Sequence, residues 1–298
     1  MRGLLVCAVT LLFGFVAPVA LMRPLAAHLA RVAPRVRNYR GRMVYSGLGV
    51  VWVIWMAGLM LAQDVLEAGQ GGPPPWLDVI TTAAPLVMGS CALGMFDDML
   101  GGSERAKGFA GHFRALRAGE FTTGMTKLVG IGVLSLATAA RVSGEPVAEP
   151  AYVAAVVLRA LAMALAANEM NLFDLRPARA LKAYVIVLLA CGVGFMAWQR
   201  DAWGAVWVGV VVALSLAPVA AVWRFDAGEL GMMGDAGSNA MGAYLGFMMA
   251  CTMPLPALAA ACALLAAMNL ASERVSYSAV IERSRLLSWV DRLGRPRG

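Results

Sequence analysis

Nine apolar runs, at about 3 to 22, 43 to 62, 76 to 96, 123 to 140, 151 to 167, 183 to 197, 203 to 223, 240 to 253 and 256 to 271, dominate this chain of 298 residues. A helix crosses a bilayer with about 20 predominantly apolar residues, and runs of that length recurring along a chain leave little room for another architecture. Only 14% of the residues are charged, against roughly 25% in an average soluble domain, and the mean hydropathy is +0.70. A soluble enzyme and a disordered chain are both excluded. The expected fold is all-α, a polytopic transmembrane helix bundle of about nine spans packed through its 32 glycines and many alanines. Pro254 and Pro256 predict a tight turn between the last two spans.

The net charge of +7 would point to nucleic acid in a soluble protein, but membrane topology explains it better and no nucleic-acid partner is expected. Cytoplasmic loops collect Lys and Arg. The connector from 23 to 42 holds Arg23, Arg31, Arg35, Arg37, Arg40 and Arg42 and no acid, which puts it inside. Alternation then puts the loops near 97 to 122, 168 to 182 and 224 to 239 and the tail after 271 inside as well. These segments hold most of the 25 basic residues, whereas the outer loops hold only Arg141 and Arg200. Cleavage of the first run as a signal peptide would turn the Arg-rich connector outward, so that run is read as a span. The expectation is a multi-pass cell-membrane protein whose polar loops are cytoplasmic. Residues 1–271 form the transmembrane domain and 272–298 a cytoplasmic basic amphipathic tail, read as one surface helix from Tyr277 to Leu293.

The five cysteines lie in apolar runs without a paired spacing, and two histidines are too few for a histidine-built metal site. The polar residues that composition does not explain gather in three inner loops. Asp97-Asp98 closes the third run and is followed by Gly101, Gly102, Lys107, His112, Thr122, Thr123 and Lys127. The second loop carries Asn168, Asn171 and Asp174, then Arg176, Arg179 and Lys182. The third reads Gly234-Asp235-Ala236-Gly237-Ser238-Asn239. Adjacent carboxylates repel one another unless a cation lies close by, and magnesium takes a few carboxylates with phosphate oxygens and water. Asp235 adds a carboxylate, the flanking glycines allow close backbone approach, and Ser238 or Asn239 is expected to cap the following helix, whose N–H groups would face a phosphate. Lys107 and Lys127 add point charges. Together these parts describe a magnesium–diphosphate site. Arg159, inside the fifth run, should pair or line a site, with Asp78 as one partner.

At these residues the chain resembles the polyprenyl-phosphate N-acetylhexosamine-1-phosphate transferases, the superfamily that includes phospho-N-acetylmuramoyl-pentapeptide transferase. The match lies in Asp97-Asp98, Asn168-x-x-Asn171-x-x-Asp174 and Gly234-Asp235-Ala236-Gly237-Ser238-Asn239-Ala240, in family order, and covers about residues 1 to 271. The resemblance implies transfer of a sugar-1-phosphate from a UDP-sugar to a polyprenyl phosphate in cell-envelope polysaccharide biosynthesis, with UMP released, Mg²⁺ as cofactor and a homodimeric state. It places Asp235 on the metal and Asp97 and Asp98 near the lipid phosphate. Asn168, Asn171 and Asp174 would hold the nucleotide and diphosphate, with Gly234, Gly237, Ser238 and Asn239 at the same site. For the family's loop lysine, Lys127 is the better match, by its place at the next helix, and Lys107 the weaker.

Two departures mark the chain as a divergent member. The family follows its second motif with Gly and another Asp, where this chain has Leu175-Arg176, and the family's late histidine motif is missing. The competing reading is a catalytically silent member that binds polyprenyl phosphate or scaffolds envelope enzymes. A transporter would gather its polar residues near the midplane, whereas these collect at one interface.

Overall fold

The computed structural model describes residues 2–69, 72–101, 108–144, 150–198 and 202–295, and most of them are helical. Helix α1 (Arg2–Leu11) continues through a π-helical turn, Leu12–Val16, into α2 (Ala17–Val32) as one rod. It therefore absorbs the first half of the Arg-rich connector. The second half folds as a hairpin, β1 (Arg35–Arg37) antiparallel to β2 (Met43–Tyr45), with Arg35 opposite Tyr45. A 3-10 turn then leads into α3 (Val51–Ala68). The following helices are α4 (Pro75–Thr82), α5 (Ala84–Leu100), α6 (Gly108–Arg117), α7 (Thr123–Ser143), α8 (Pro150–Phe173), α9 (Arg179–Trp198), α10 (Ala202–Ser215), α11 (Ala217–Ala227), α12 (Gly234–Thr252), α13 (Leu255–Ser272), α14 (Tyr277–Arg283) and α15 (Arg285–Arg292). Pro85 and Pro218 stand in the first turns of α5 and α11, where a missing N–H costs nothing, so α4–α5 and α10–α11 each run on as one bent rod.

Among the described residues, eight helical stretches are long and apolar enough to cross a membrane, and the chain is an all-α polytopic membrane bundle. They match eight of the nine apolar runs. The ninth helix, α12, falls short because its first two turns are Gly, Asp, Ser and Asn, yet it is buried almost continuously from Ala236 to Ala250. It packs against α5, α8 and α9 at the centre of the bundle. Its shielding by protein removes the need for an apolar surface.

Small residues set that packing. Added Cβ atoms at Gly242 and Gly246 would strike the backbone of α8 at Ala166 and Ala162, and the inverted order of these contacts makes the two helices antiparallel. Gly94 of α5 lies equally close to the backbone of Asp235. Close backbone approach is how helices associate in lipid, where there is no hydrophobic drive between them. Cys262 against the Leu158 carbonyl and Asn269 against that of Leu165 make α13 parallel to α8. The C-terminal ends of α5, α8 and α13 therefore meet the N-terminal ends of α7 and α12 at one end of the bundle.

Candidate active site

That end holds the three polar loops together. Thr123 and Lys127, four residues apart on α7, share a face, and both reach Asp97 in the last turn of α5. Thr123 Oγ1 donates to Asp97 Oδ1 at 2.5 Å and Lys127 Nζ to Oδ2 at 2.6 Å. The same ammonium pairs with Asp235 Oδ2 at the start of α12. Asn171, in the last turn of α8, completes the group. With its amide nitrogen on Asp235 Oδ1 at 3.0 Å, its oxygen lies 3.3 Å from Lys127 Nζ. The ammonium's three protons thus have three acceptors from three helices. One cation against two carboxylates leaves the group net negative. Asp235 is the more open carboxylate, its side chain 27% exposed against 16% for Asp97.

Asp98 points elsewhere. Its Oδ1 and Oδ2 accept the backbone N–H groups of Asp235 and Ala236 at 3.0 and 3.2 Å, so a residue of α5 caps α12. Gly234 makes this approach feasible, since its φ is +67° and a Cβ there would collide with the Asp98 carboxylate. Two sequence expectations are corrected here. Neither Ser238 nor Asn239 caps a helix, because α12 starts at Gly234 and both lie one turn inside it. Ser238 Oγ donates back to the Gly234 carbonyl at 3.0 Å and Asn239 Nδ2 to that of Asp235 at 2.7 Å. Nor are these first N–H groups open to a phosphate, since Asp98 holds them. Gly237 serves packing, its Cα lying against the backbone of Gly49.

The ion-paired group lines a cavity of about 500 Å³, together with Asp98, His112, Asn168, Asn239 and an apolar wall that includes Phe113, Leu128 and Ile131. Cavities of this size take small organic ligands. His112 of α6 lies over Gly124, and its Nδ1 is 2.8 Å from Thr122 Oγ1. Thr122 in turn accepts the Met125 N–H as the N-cap of α7. Asn168 is tied to Asn269 of α13, which donates to Glu169 Oε2 at 2.8 Å. Sequence reasoning placed Glu169 in the second loop without a role and missed Asn269, both buried. A lone amide inside an apolar run was the available signal for Asn269.

Asp174 does not line this cavity, which corrects a third expectation. Helix α8 ends at Phe173, so the i, i+3 face shared by Asn168 and Asn171 does not continue to it. Asp174 lines a small separate cavity with Tyr39, Arg176, Asp226 and Glu229. Burial first, and then the Asp226 carboxylate, hold its carboxyl well above the usual carboxylate range. Lys107 and Gly102 lie outside the described residues. Arg159 is not at the site either. It donates to Ser143 at 2.6 Å, at the far end of α7, while Asp78 accepts from Gln63.

The basic residues of the second loop face the tail. Arg179 donates to both oxygens of Asp291 at 2.8 and 3.0 Å. Lys182 donates to the carbonyls of Val290, Asp291 and Leu293, closing the C-terminus of α15. Arg176 pairs with Glu282 at 2.9 Å. Burial raises the Asp291 carboxyl, but the hydrogen bonds and charge of Arg179 outweigh it and hold the carboxyl below its usual range. The tail is two short helices rather than one, broken at Ser284, which is extended and caps α15 through its Oγ.

Among the described residues, no group of three or more His, Cys, Asp and Glu side chains could hold a metal ion. The donors present nonetheless suit magnesium, which takes one or two carboxylates and completes its shell with substrate phosphate and water. Asp235 and Asp97 are hard oxygen donors at the cavity wall, still net negative with Lys127 in place. No protein-family model matches the chain, and no curated protein matches it.

Proposed function

We propose that the chain transfers a sugar-1-phosphate, an N-acetylhexosamine-1-phosphate, from a UDP-sugar to a polyprenyl phosphate at the cytoplasmic membrane face. The observation that carries this reading is the Lys127 ammonium between Asp97 and Asp235 on the wall of a 500 Å³ cavity at one end of a membrane bundle. A lipid acceptor reaches such a site along the bilayer, and a water-soluble nucleotide reaches it from the loops.

A phosphate monoester has a second pKa near about 6, so the lipid phosphate arrives mostly as the dianion and needs no protein base. Its oxygen bonds to the sugar-bearing phosphorus, the bond from that phosphorus to the bridging oxygen breaks, and UMP leaves with that oxygen. Two anions must meet, and the work of the site is charge neutralisation and alignment. Lys127 supplies fixed positive charge, and the amides of Asn168, Asn171 and Asn239 orient the donor. Magnesium, held by Asp235 with Asp97, would neutralise the diphosphate. Asp98 acts on the reaction by holding the first turn of α12, and with it Asp235.

The test is UMP release by purified protein with Mg²⁺, undecaprenyl phosphate and a panel of UDP-N-acetylhexosamines, with Asp235→Asn alongside. UMP from the wild type alone is expected. One observation favours a second reading, a silent member that only binds polyprenyl phosphate: Lys127 and Asp98 already engage the carboxylates and N–H groups that a substrate would use. Bound polyprenyl phosphate without UMP from any donor would establish that reading.

A further inference from the structure

The tail helix α15 has two faces, and only one touches the bundle. At about 100° per residue, Leu287, Val290 and Asp291 share one arc. Leu287 and Val290 line an apolar groove against α9 and α13, and Asp291 holds Arg179. The opposite arc runs Arg292, Arg285, Trp289, Leu293 and Leu286. Leu286 is 68% and Trp289 58% exposed, and among the described residues Arg285 has no partner. Two arginines along one side of a tryptophan and two leucines is the pattern of a helix lying in a lipid headgroup layer, with aromatic and aliphatic side chains dipped in and guanidinium groups on phosphates.

The position of the helix selects the same occupant. The span α13 ends at Ser272, and α14 begins only five residues later. The partners of α15, Arg179 and Lys182, are in the first turn of the span α9. Both attachments keep α15 at the level where membrane helices end, on the side of the candidate site. Past α15 the chain returns to the second loop, where Arg295 Nε donates to the Pro177 carbonyl at 2.9 Å. The next residue, Ala178, is left-handed at φ +56° with its N–H on Asp226. Such backbone strain in a residue with a side chain persists only where its surroundings over-determine it.

We propose that the outward face of α15 docks on anionic phospholipid headgroups of the protein's own membrane, and that this docking steadies the second loop through Asp291 and Arg295. The proposal is independent of whether the chain transfers sugars.

Hydrogen exchange on the full-length protein in nanodiscs tests it, with phosphatidylcholine alone compared with an equal mixture of phosphatidylcholine and phosphatidylglycerol. Amides of residues 285–293 and of the turn at 175–179 should both exchange more slowly in the anionic discs. The doubly reversed variant R285E/R292E should abolish that difference while leaving exchange in α12 unchanged, with an effect on the order of fivefold per arginine. Because both arginines are exposed, this variant should fold. A second variant, W289S, should weaken protection in both lipids. Equal exchange in the two lipids would overturn the docking. Slowing confined to the tail, with the turn unaffected, would overturn the coupling. Protection that follows the number of protein copies per disc rather than lipid charge would assign the face to a second copy, and would also overturn the proposal.

Discussion

Lys127 and Arg179 each hold a carboxylate across helices at the same end of the bundle, but their surroundings differ. Lys127 divides its protons among Asp97, Asp235 and Asn171 on the wall of a cavity. Arg179 is 4% exposed and grips Asp291 with two parallel bonds, with its remaining nitrogen on Ser278, at the edge of the apolar groove under the tail. A cation among carboxylates and amides on the wall of a partly polar cavity is available to a ligand, and one whose donors are taken by the tail beside an apolar groove is architecture. The comparison also accounts for the basic residues of the second loop, where the resembled family keeps an acid. They anchor the tail and leave the cavity to the asparagines.

Substituting the two cations is the most direct way to break this contrast. Lys127→Met should lower UMP release by about 100- to 1,000-fold, the range for removing one charge-stabilising donor from a site. Arg179→Gln should leave UMP release nearly unchanged, because the residue lies outside the cavity, while loosening the tail, read as faster trypsin cleavage after Arg283 and Arg285. Equal losses of activity in the two variants would erase the distinction.

Asp97 and Asp98 repeat the contrast within one dipeptide. Successive residues on a helix point about 100° apart, so one carboxylate faces Lys127 and the other the end of α12. Removing an N-cap costs roughly 1 kcal/mol, which corresponds to about 2–4 °C in melting temperature for a chain of this order. Asp98→Ala should melt earlier by that amount, and Asp98→Asn, which keeps one acceptor oxygen, by less. If Asp98→Asn melts like Asp98→Ala, or neither shifts, the capping role is wrong.

Much of this architecture was legible in the sequence, for a physical reason. Length and apolarity are read residue by residue, so nine apolar runs followed directly, eight of them helices long and apolar enough to cross a membrane, together with the shared side of the three loops. What eluded the sequence depends on contact between distant segments. That the Lys127 ammonium meets Asp97 and Asp235 together emerged only once the helix ends were brought together. Asp98 as a cap in trans, Asn269 on Glu169, and the docking of Asp291 on Arg179 across more than a hundred residues leave no local periodicity. The hairpin at 35–45 was hidden by its arginines, which read only as a charged connector. The single tail helix was overdrawn because Ser284 breaks the helix without disturbing the apolar spacing around it.

Asp174 gives the smallest expected effect and one of opposite sign. It belongs to the motif that includes Asn168 and Asn171, yet it faces Asp226 rather than the cavity. Its folded-state pKa is raised above the unfolded value, so the unfolded chain releases its proton more readily and ionisation opposes folding. The native state is therefore disfavoured through this group at neutral pH, and recovers as pH falls through the raised pKa. Asp174→Asn removes the charge without changing shape. It should raise the melting temperature slightly at pH 7.5, with the gain shrinking on acidification, and should leave UMP release nearly intact. A loss of activity as large as that of Asp235→Asn would return Asp174 to the site and join the two halves of the motif that α8 separates.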